Sequence, residues 1–430
     1  MAGSLAAASL GGFSQSQPQI TSSERNYAQG MLSQVHETLK KNYYDPYFHG
    51  LDIDQRYKTY AEQLRSAKTT GAAYRLIEAY LAGLDDSHTG FIPPPNSKLV
   101  TYGFRFKMIG DQCFITDVRP GTDAAQKLNQ GDQVLGLDGY TVDRVDLWQL
   151  EYFLRRLPPR LTTDFSLRGA TGEMRRESVT ADFQEGRIRT GFSTSDTRLI
   201  AEKLQHISRS RSSEAGNVLI WKFPSFNGDE DTIFRLVGQA RKHEALILDL
   251  RENPGGLEST LQFMLGHFFD HEVTIGRQIM RKEQKALVAK SRGHDAFSGK
   301  LIVLIDSRSS SAAELFARVV QIEHRGTVIG DRSSGSVMTA QYFPLKEGVG
   351  LVIPFGAEIT VASLLMADGK SLEKSGVTPD ITILPTAADL GGTRDPVLAR
   401  AIEMAGGKLD AAAAGKMFPY EWPPVDITSN

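Results

Sequence analysis

A short serine-rich segment of the sequence could supply a nucleophile. It reads Ser307-Arg308-Ser309-Ser310-Ser311-Ala312-Ala313-Glu314 and follows the apolar residues 301–305. The helical pattern that begins at Ala312 places Ser311 at a helix N-terminus, where unpaired N–H groups and the positive end of the dipole stabilise an oxyanion. Serine is also among the commonest helix caps, so capping alone explains the segment equally well.

Two further segments carry groups that nucleophilic catalysis uses. Asn253-Pro254-Gly255-Gly256 follows the apolar residues 246–250, and its paired glycines let backbone N–H groups point at a ligand oxygen. Asp85-Asp86-Ser87-His88-Thr89 contains His88, a side chain that titrates near neutral pH and can act as a general base. The alternative to a catalytic role is an ordinary tight turn for the glycine pair and a loop histidine without a functional role for His88. The joint presence of all three segments favours catalysis.

Three zones of different periodicity must position these segments. Residues 22–84 have a helical pattern that ends just before His88, and residues 101–183 are mostly strand-like. From residue 218 onward, short apolar strands (218–221, 246–250, 301–305 and 327–329) alternate with helical stretches (231–240, 257–268 and 312–322). This alternation predicts a largely parallel, buried sheet.

Composition excludes several function classes. The chain has 430 residues, a net charge of −2 and one cysteine, Cys113. The length predicts several domains, and the neutral charge without a basic tract argues against nucleic acid as a partner. A single cysteine excludes an internal disulfide framework and a cysteine-clustered metal site, and Cys113 itself is expected to be a buried apolar residue. No apolar run is long enough to span a membrane, and nothing in the sequence calls for a metal or another cofactor.

Six blocks, in order, resemble the tail-specific, or C-terminal processing, serine peptidase family. They are Asp85–Thr89, the strand-rich zone 103–157, residues 248–256, Ser311-Ala312-Ala313-Glu314, residues 326–335, and Glu373-Lys374-Ser375-Gly376-Val377-Thr378-Pro379-Asp380. The resemblance covers roughly residues 25–405 and implies a multidomain α/β fold. Its expected parts are a disordered or trimmed signal remnant (1–23), an N-terminal helical domain (24–95), a mostly β PDZ domain (96–185), a crotonase/ClpP-like α/β peptidase core (186–390), and a C-terminal helix and tail (391–430).

The resemblance also implies how substrate is recognised. Tyr102-Gly103-Phe104-Arg105-Phe106 is similar to the carboxylate-binding loop and groove strand of a PDZ domain, which adds a substrate's C-terminal strand to a sheet edge. A helix over residues 147–157 would form the other wall. The expected partner is thus a polypeptide bound through its C-terminus. The alternative is a small β domain that only spaces the catalytic parts.

One departure from the family matters for mechanism. The family's processing peptidases use a serine and a lysine, and the lysine position is Ser336 here. One interpretation is an inactive member that acts as a peptide-binding module or scaffold. The other is a resemblance to the tricorn-core branch, which uses a Ser-His pair, a serine nucleophile and a glutamate. Ser87 and His88 match the pair, Ser311 matches the nucleophile, and Glu373 matches the glutamate. A third possibility is a lysine from elsewhere, with Lys346, Lys370 and Lys374 as the candidates.

The tricorn-like interpretation implies a serine endopeptidase that uses a Ser/His relay. His88 would take the proton of Ser311 as it attacks the scissile carbonyl, while Ser87 and Glu373 orient the imidazole. The N–H of Ala312, with that of Gly255 or Gly256, would form the oxyanion hole. Relatives are mostly exported in bacteria, so a periplasmic or extracellular location is expected, with a cytoplasmic one left open. The sequence leaves the oligomeric state open too.

Overall fold

The computed structural model describes residues 19–95, 98–144, 147, 150–151, 154, 161–185, 209–228, 230–348 and 352–423. Its helices are α1 (Ser22–Asn42), α2 (Ile53–Arg65), α3 (Thr70–Ala82), α4 (Asp123–Lys127), α5 (Glu230–Ala240), α6 (Glu258–Gly266), α7 (Ala312–Ile322), α8 (Ala387–Gly391), α9 (Pro396–Met404) and α10 (Ala411–Gly415). Its strands are β1 (Gly90–Ile92), β2 (Lys98–Thr101), β3 (Phe104–Ile109), β4 (Gln112–Val118), β5 (Gln133–Leu137), β6 (Tyr140–Thr141), β7 (Thr162–Arg168), β8 (Met174–Thr180), β9 (Asp182–Glu185), β10 (Arg211–Ala215), β11 (Val218–Lys222), β12 (Ala245–Asp249), β13 (Val273–Met280), β14 (Gln284–Ala289), β15 (Lys300–Ile305), β16 (Thr327–Gly330), β17 (Met338–Glu347), β18 (Ile353–Met366) and β19 (Ile381–Thr382).

A parallel sheet forms the centre of the second half of the chain. Strands β11, β12, β15 and β16 pair in parallel, with β10 antiparallel at one edge and β19 parallel at the other. Alternate residues of these strands pack into two different apolar clusters, one on each face, so both faces are buried. The predicted strand–helix alternation and the parallel sheet are therefore confirmed.

This topology brings two of the three candidate segments together. Because the strands are parallel, their carboxyl ends meet at one edge of the sheet. β12 ends at Asp249, just before the glycine pair, and the neighbouring β15 ends at Ile305, just before the serine-rich loop. The glycine pair and Ser311 must therefore lie on adjacent loops.

The third segment reaches the core through a short strand. Helices α1–α3 pack with apolar residues of β18 in one buried cluster, and β1 pairs antiparallel with residues 356–358 of β18. The Asp85–Thr89 segment lies between α3 and β1. The packing of α3 before this segment and the pairing of β1 after it thus fix its position against the core.

The middle of the chain forms a separate antiparallel sheet with its own apolar cluster. Its order is β3-β4-β5-β7-β8, so β3 is an edge strand. Cys113 lies buried on β4, and burial raises the pKa of its thiol to about 12, which confirms the expectation of an inert buried residue. Of the predicted helix over 147–157, the described residues Leu147, Leu150, Glu151 and Leu154 are helical; its other residues lie outside the described ones, as do residues 1–18 and 186–208.

The predicted mixed α/β architecture with several sheets is confirmed at this level, while the exact domain bounds remain predictions. No helix in the described ranges has the length and apolar character needed to cross a bilayer. The same ranges contain no cluster of three or more His, Cys, Asp or Glu side chains suited to a metal ion.

Candidate active site

Ser311 lies at the start of α7, on the loop after the carboxyl end of β15. Its backbone has φ = 52°, in the left-handed region that non-glycine residues rarely adopt. Its N–H donates to the carbonyl of Ser336 at 2.9 Å and to Oε2 of Glu314 at 3.0 Å. A strained conformation of the candidate nucleophile is therefore held by two hydrogen bonds.

The glycine pair after β12 lies directly against Ser311. Gly255 has φ = 90°, and a Cβ atom added there would lie 2.7 Å from Cβ of Ser311 and 2.9 Å from N of Ala312, so this close approach requires glycine. The N–H of Gly255 donates to Oδ1 of Asn253 at 2.8 Å. Within the described part of the chain, the N–H groups of Gly256 and Ala312 donate to no protein acceptor. These two groups are the ones that remain for a ligand oxygen.

Ser87, His88 and Glu373 form a continuous chain of hydrogen bonds. The hydroxyl of Ser87 lies 2.8 Å from Nδ1 of His88 and donates to Oε2 of Glu373 at 2.9 Å. The same carboxylate accepts the N–H of Ser87 at 2.9 Å and the N–H of Val337 at 2.8 Å. The structure thus brings together residues that are 286 positions apart in the sequence.

When Glu373 is ionised, this chain sets the tautomer of His88. A hydroxyl has a single proton, and that of Ser87 is donated to Glu373. The contact with His88 therefore requires Nδ1–H to donate to Ser87, which leaves Nε2 unprotonated. An unprotonated Nε2 is the form that a general base needs.

Burial acts on both titratable groups of this chain. Burial lowers the pKa of His88 below its ordinary value of 6.5, and the charge of Asp86 opposes this effect. Burial also raises the pKa of Glu373, while hydrogen bonds from Val337 and Ser87 oppose the rise. The imidazole is therefore neutral at pH 7.

Asp86 anchors the histidine segment between the helices and β18. Its Oδ1 accepts the N–H groups of His88 at 3.0 Å and Thr89 at 2.7 Å, and also the hydroxyl of Thr360 at 2.8 Å. Its Oδ2 accepts the hydroxyl of Tyr43 at 2.8 Å. The carboxylate is buried and fully hydrogen-bonded, so it holds the backbone of His88 in place.

One peptide group links the two halves of the candidate site. The carbonyl of Ser336 accepts the N–H of Ser311, and the N–H of Val337, in the same peptide unit, donates to Glu373. The N atom of Ser311 and the carboxylate of Glu373 are thus at most about 8 Å apart. The structure contains no hydrogen bond between the Ser311 hydroxyl and the His88 ring, and catalytic contacts of this kind often shorten only when substrate binds.

Among the hydrogen bonds and ion pairs of the described residues, none joins a candidate lysine to Ser311. Lys374 forms an exposed ion pair with Asp85. Lys346 lies near the far end of β17, where its carbonyl accepts from Gln34 of α1, and Lys370 lies in the turn after β18. Ser336, at the family's lysine position, contributes backbone groups to the site.

The predicted recognition strand β3 contacts the nucleophile loop. The carbonyl of Phe106 accepts from Arg308 at 2.5 Å, and that of Met108 accepts from the hydroxyl of Ser307 at 2.5 Å. Arg308 also pairs with Glu151, on the helical segment opposite. The outer edge of β3 is therefore covered here by the loop that leads to Ser311.

The predicted binding residues around β3 have different surroundings. Gly103 has φ = 72° and lies against Thr122, while Tyr102 and Phe104 pack with the domain's apolar cluster. Arg105 points away from that cluster, pairs with Glu252 at 2.8 Å and stacks over Tyr420 at 3.8 Å. Arg105 thus contacts the loop that carries the glycine pair.

Several residues of the site were not identified from the sequence as functional. Asn253 and Asp86 lie within the sequence motifs without a predicted role, although a polar residue beside a glycine pair and a carboxylate before Ser-His both signal local hydrogen bonding. Tyr43, Thr360 and Val337 carry no sequence signal for the site. Their roles depend on tertiary contacts between distant segments.

Two family models match this chain. Residues 216–383, which include the glycine pair, Ser311 and Glu373, match peptidase family S41. Residues 25–82, which form α1–α3, match the C1 domain of tricorn protease. The chain therefore contains a peptidase family S41 domain over residues 216–383.

Curated relatives of this S41 chain are named as proteases. The tail-specific protease of Haemophilus influenzae is 26% identical over 350 residues, which are 76% of this chain and 48% of that protein. The carboxyl-terminal-processing protease of a Picosynechococcus species is 25% identical over 333 residues, 74% of each protein. The chain thus spans about half of the first relative and about three quarters of the second. The predicted family and enzyme class, a serine-type peptidase, are confirmed, and an inactive binding module is not favoured.

Solved structures share the fold of the S41 chain. Mature CPAF complexed with lactacystin superposes with a TM-score of 0.64 at 15% identity, covering 86% of this chain and 96% of that one. The photosystem II D1 C-terminal processing protease superposes with a TM-score of 0.50 at 18% identity, covering 93% and 100%. At these identities, the likeness concerns the fold alone.

Proposed function

We propose that this S41 chain is a serine endopeptidase that hydrolyses polypeptides through a Ser311–His88 relay. The observation that carries the proposal is the hydrogen-bonded chain from Glu373 through Ser87 to His88. It leaves Nε2 of His88 unprotonated, and it ends at the peptide group that also binds the N–H of Ser311. A serine at a helix N-terminus, a neutral, half-buried histidine and an oriented carboxylate are the parts that acyl transfer requires.

The proposed reaction has two steps. His88 Nε2 takes the hydroxyl proton of Ser311 while Oγ bonds to the scissile carbonyl carbon, and the resulting imidazolium returns the proton to the leaving amine as the C–N bond breaks. Water then attacks the acyl carbon and gives a proton to His88. The imidazolium returns this proton to Oγ of Ser311 as the acyl C–O bond breaks, which releases a carboxylic acid and restores the hydroxyl. Nδ1–H of His88 stays bonded to Ser87 throughout, so the ring keeps its orientation.

We assign the oxyanion hole to the N–H groups of Ala312 and Gly256. The N–H of Gly255 is engaged by Asn253, so Gly255 serves by its small size, which lets the loop approach Ser311. Each donor of such a hole typically accelerates acylation by about 100- to 1,000-fold. This assignment replaces the choice between Gly255 and Gly256 that the sequence left open.

A fluorophosphonate probe tests the proposed function directly. The wild-type chain should be labelled at Ser311, and Ser311→Ala should abolish labelling because no oxygen nucleophile remains. Ser334→Ala is the matched control, since this exposed serine lies in the neighbouring loop. A folded wild-type protein that is never labelled, yet binds peptides, would overturn the proposal and support a binding module.

The pH dependence should identify His88 as the base. Only the neutral imidazole accepts a proton, and burial lowers its pKa below 6.5, so the ionisation of His88 should contribute a rise of kcat/KM with pH below 6.5. The measurement is a profile of kcat/KM from about pH 5 to 9. A lysine base has an ordinary pKa of about 10.4. A profile that rises only above about pH 8 would therefore indicate a lysine mechanism.

We also propose that β3 and its preceding loop recognise the C-terminus of the substrate, as in a PDZ domain. The supporting observation is that β3 is an edge strand that follows the positive-φ backbone at Gly103. A bound peptide would have to displace the contacts of Arg308 and Ser307 with the outer edge of β3. A peptide with a free C-terminal carboxylate should have a KM about tenfold below that of the same peptide with an amide. Equal KM values for the two would show that the middle domain is a spacer.

A further inference from the structure

Glu314 is a buried carboxylate that the proposed relay does not use. It lies in the first turn of α7, three residues after Ser311, and its side chain is fully buried. Oε1 accepts the hydroxyl of Ser333 at 2.6 Å and the N–H of Gly335 at 2.7 Å. Oε2 accepts the N–H groups of Ser311 and Ser336, both at 3.0 Å. Four donors therefore converge on one side chain.

These donors fit an ionised carboxylate better than an amide of the same shape. Three are backbone N–H groups, which cannot become acceptors. The fourth, the hydroxyl of Ser333, already accepts the N–H of Val377 at 2.6 Å. A protonated acid would force the hydroxyl of Ser333 to turn its proton away from Glu314. An amide would place a hydrogen against at least one backbone N–H, so one buried hydrogen bond would be lost.

The charge of Glu314 is balanced by dipoles. Among the described residues, no lysine, arginine or histidine forms an ion pair with it. Burial raises the pKa of Glu314 to about 7, while the hydrogen bonds from its four partners oppose the rise. The N-terminus of α7 adds a favourable dipole for the anion.

The contacts of Glu314 connect the nucleophile to the histidine side of the site. Oε2 binds the N–H groups of both Ser311 and Ser336, and the next N–H along the chain, that of Val337, binds Glu373. Without the hydrogen bonds from Ser311 and Ser336 to Oε2 of Glu314, the backbone of Ser311 would be free to leave its φ = 52° conformation. Its hydroxyl would then move relative to His88.

We infer that Glu314 is a positioning residue that, as a carboxylate, fixes Ser311 and the 333–336 loop in the geometry that the relay requires. The inference rests on the proposed function. Displacing a reacting group by about 1 Å costs about 100-fold in rate, so Glu314→Gln should lower kcat by about that factor while leaving KM within about twofold.

The pH profile separates a positioning role from a merely structural one. Two ionisations, those of His88 and Glu314, should shape the acidic limb of the wild type, so log kcat/KM should fall with a slope approaching two. In Glu314→Gln only that of His88 remains, and the slope should approach one. Other charged groups on the elements packed around Glu314 include Asp331, paired with Arg144, Asp306, paired with Lys107, Arg318, paired with Asp368, Lys374, paired with Asp85, and also Arg332 and Glu373.

The experiment measures fluorophosphonate labelling rates, peptide hydrolysis and thermal unfolding for wild type, Glu314→Gln and Glu323→Gln. Glu323, at the opposite end of α7, is the matched control and should behave as wild type. If Glu314→Gln does not fold, Ser333→Ala removes a single donor and should still lower kcat several-fold. If folded Glu314→Gln has the kcat of the wild type and the same slope of log kcat/KM against pH, the inference is overturned. If the wild type itself is not labelled, the proposed function is refuted instead.

Discussion

Replacing His88 with asparagine is expected to lower kcat by about 100- to 10,000-fold. Asparagine keeps a polar side chain next to Ser87 but has no basic nitrogen at the position of Nε2. The backbone of residue 88 should stay in place because Asp86 holds its N–H and that of Thr89. The loss should therefore appear in kcat and in the labelling rate, with little change in KM or in thermal stability.

The control for this variant is His294→Asn, in a short turn before β15. It should leave kcat unchanged, because His294 lies on a different loop from the site. Wild-type turnover in the His88 variant would remove the histidine from the mechanism. The base would then have to be sought among the lysines.

Replacing Glu373 with glutamine is expected to lower kcat by about 100-fold or more. An amide can present its NH₂ group to Ser87, whose hydroxyl must then accept and turn its own proton toward Nδ1 of His88. This favours the tautomer with hydrogen on Nε2, which cannot take the proton of Ser311. Steady-state kinetics at pH 7.5 would measure the loss, and the affinity for peptide should change little.

A double-mutant cycle with Ser87→Ala tests whether Glu373 acts through Ser87. If it does, the double variant should be no slower than the slower single variant, since residues that act as one unit are not additive. Lys374→Gln is the neighbouring control, because its exposed ion pair with Asp85 contributes little. Additive effects would mean that Glu373 acts by another route, such as its bond to Val337.

Local pattern was sufficient to predict α7 and the parallel strands. The boundaries Ala312–Ile322 follow from a serine cap, an apolar stripe and the end of that stripe, all of which are local properties. The position of Ser311 beside the glycine pair follows in turn, because adjacent parallel strands deliver their loops to one edge. These parts of the candidate site could be anticipated without coordinates.

Contacts between distant segments could not be anticipated in the same way. The bond between Gly255 and Asn253 depends on the side-chain rotamer in a tight turn. The contacts of Ser307 and Arg308 with β3 depend on how the middle domain meets the core, and no periodicity encodes that. The family resemblance indicated Ser87, His88 and Glu373, but the order of their hydrogen bonds required geometry.

The contact between β3 and the nucleophile loop would compete with the peptide binding proposed for this strand. An extended peptide that pairs with the outer edge of β3 needs the carbonyls of Phe106 and Met108, which Arg308 and Ser307 occupy. The apparent affinity for any such peptide is therefore the intrinsic affinity multiplied by the fraction of molecules in which the edge is open. Weakening the contacts of Ser307 and Arg308 with β3 would therefore raise the apparent affinity for such a peptide, although the peptide itself would make no additional contact.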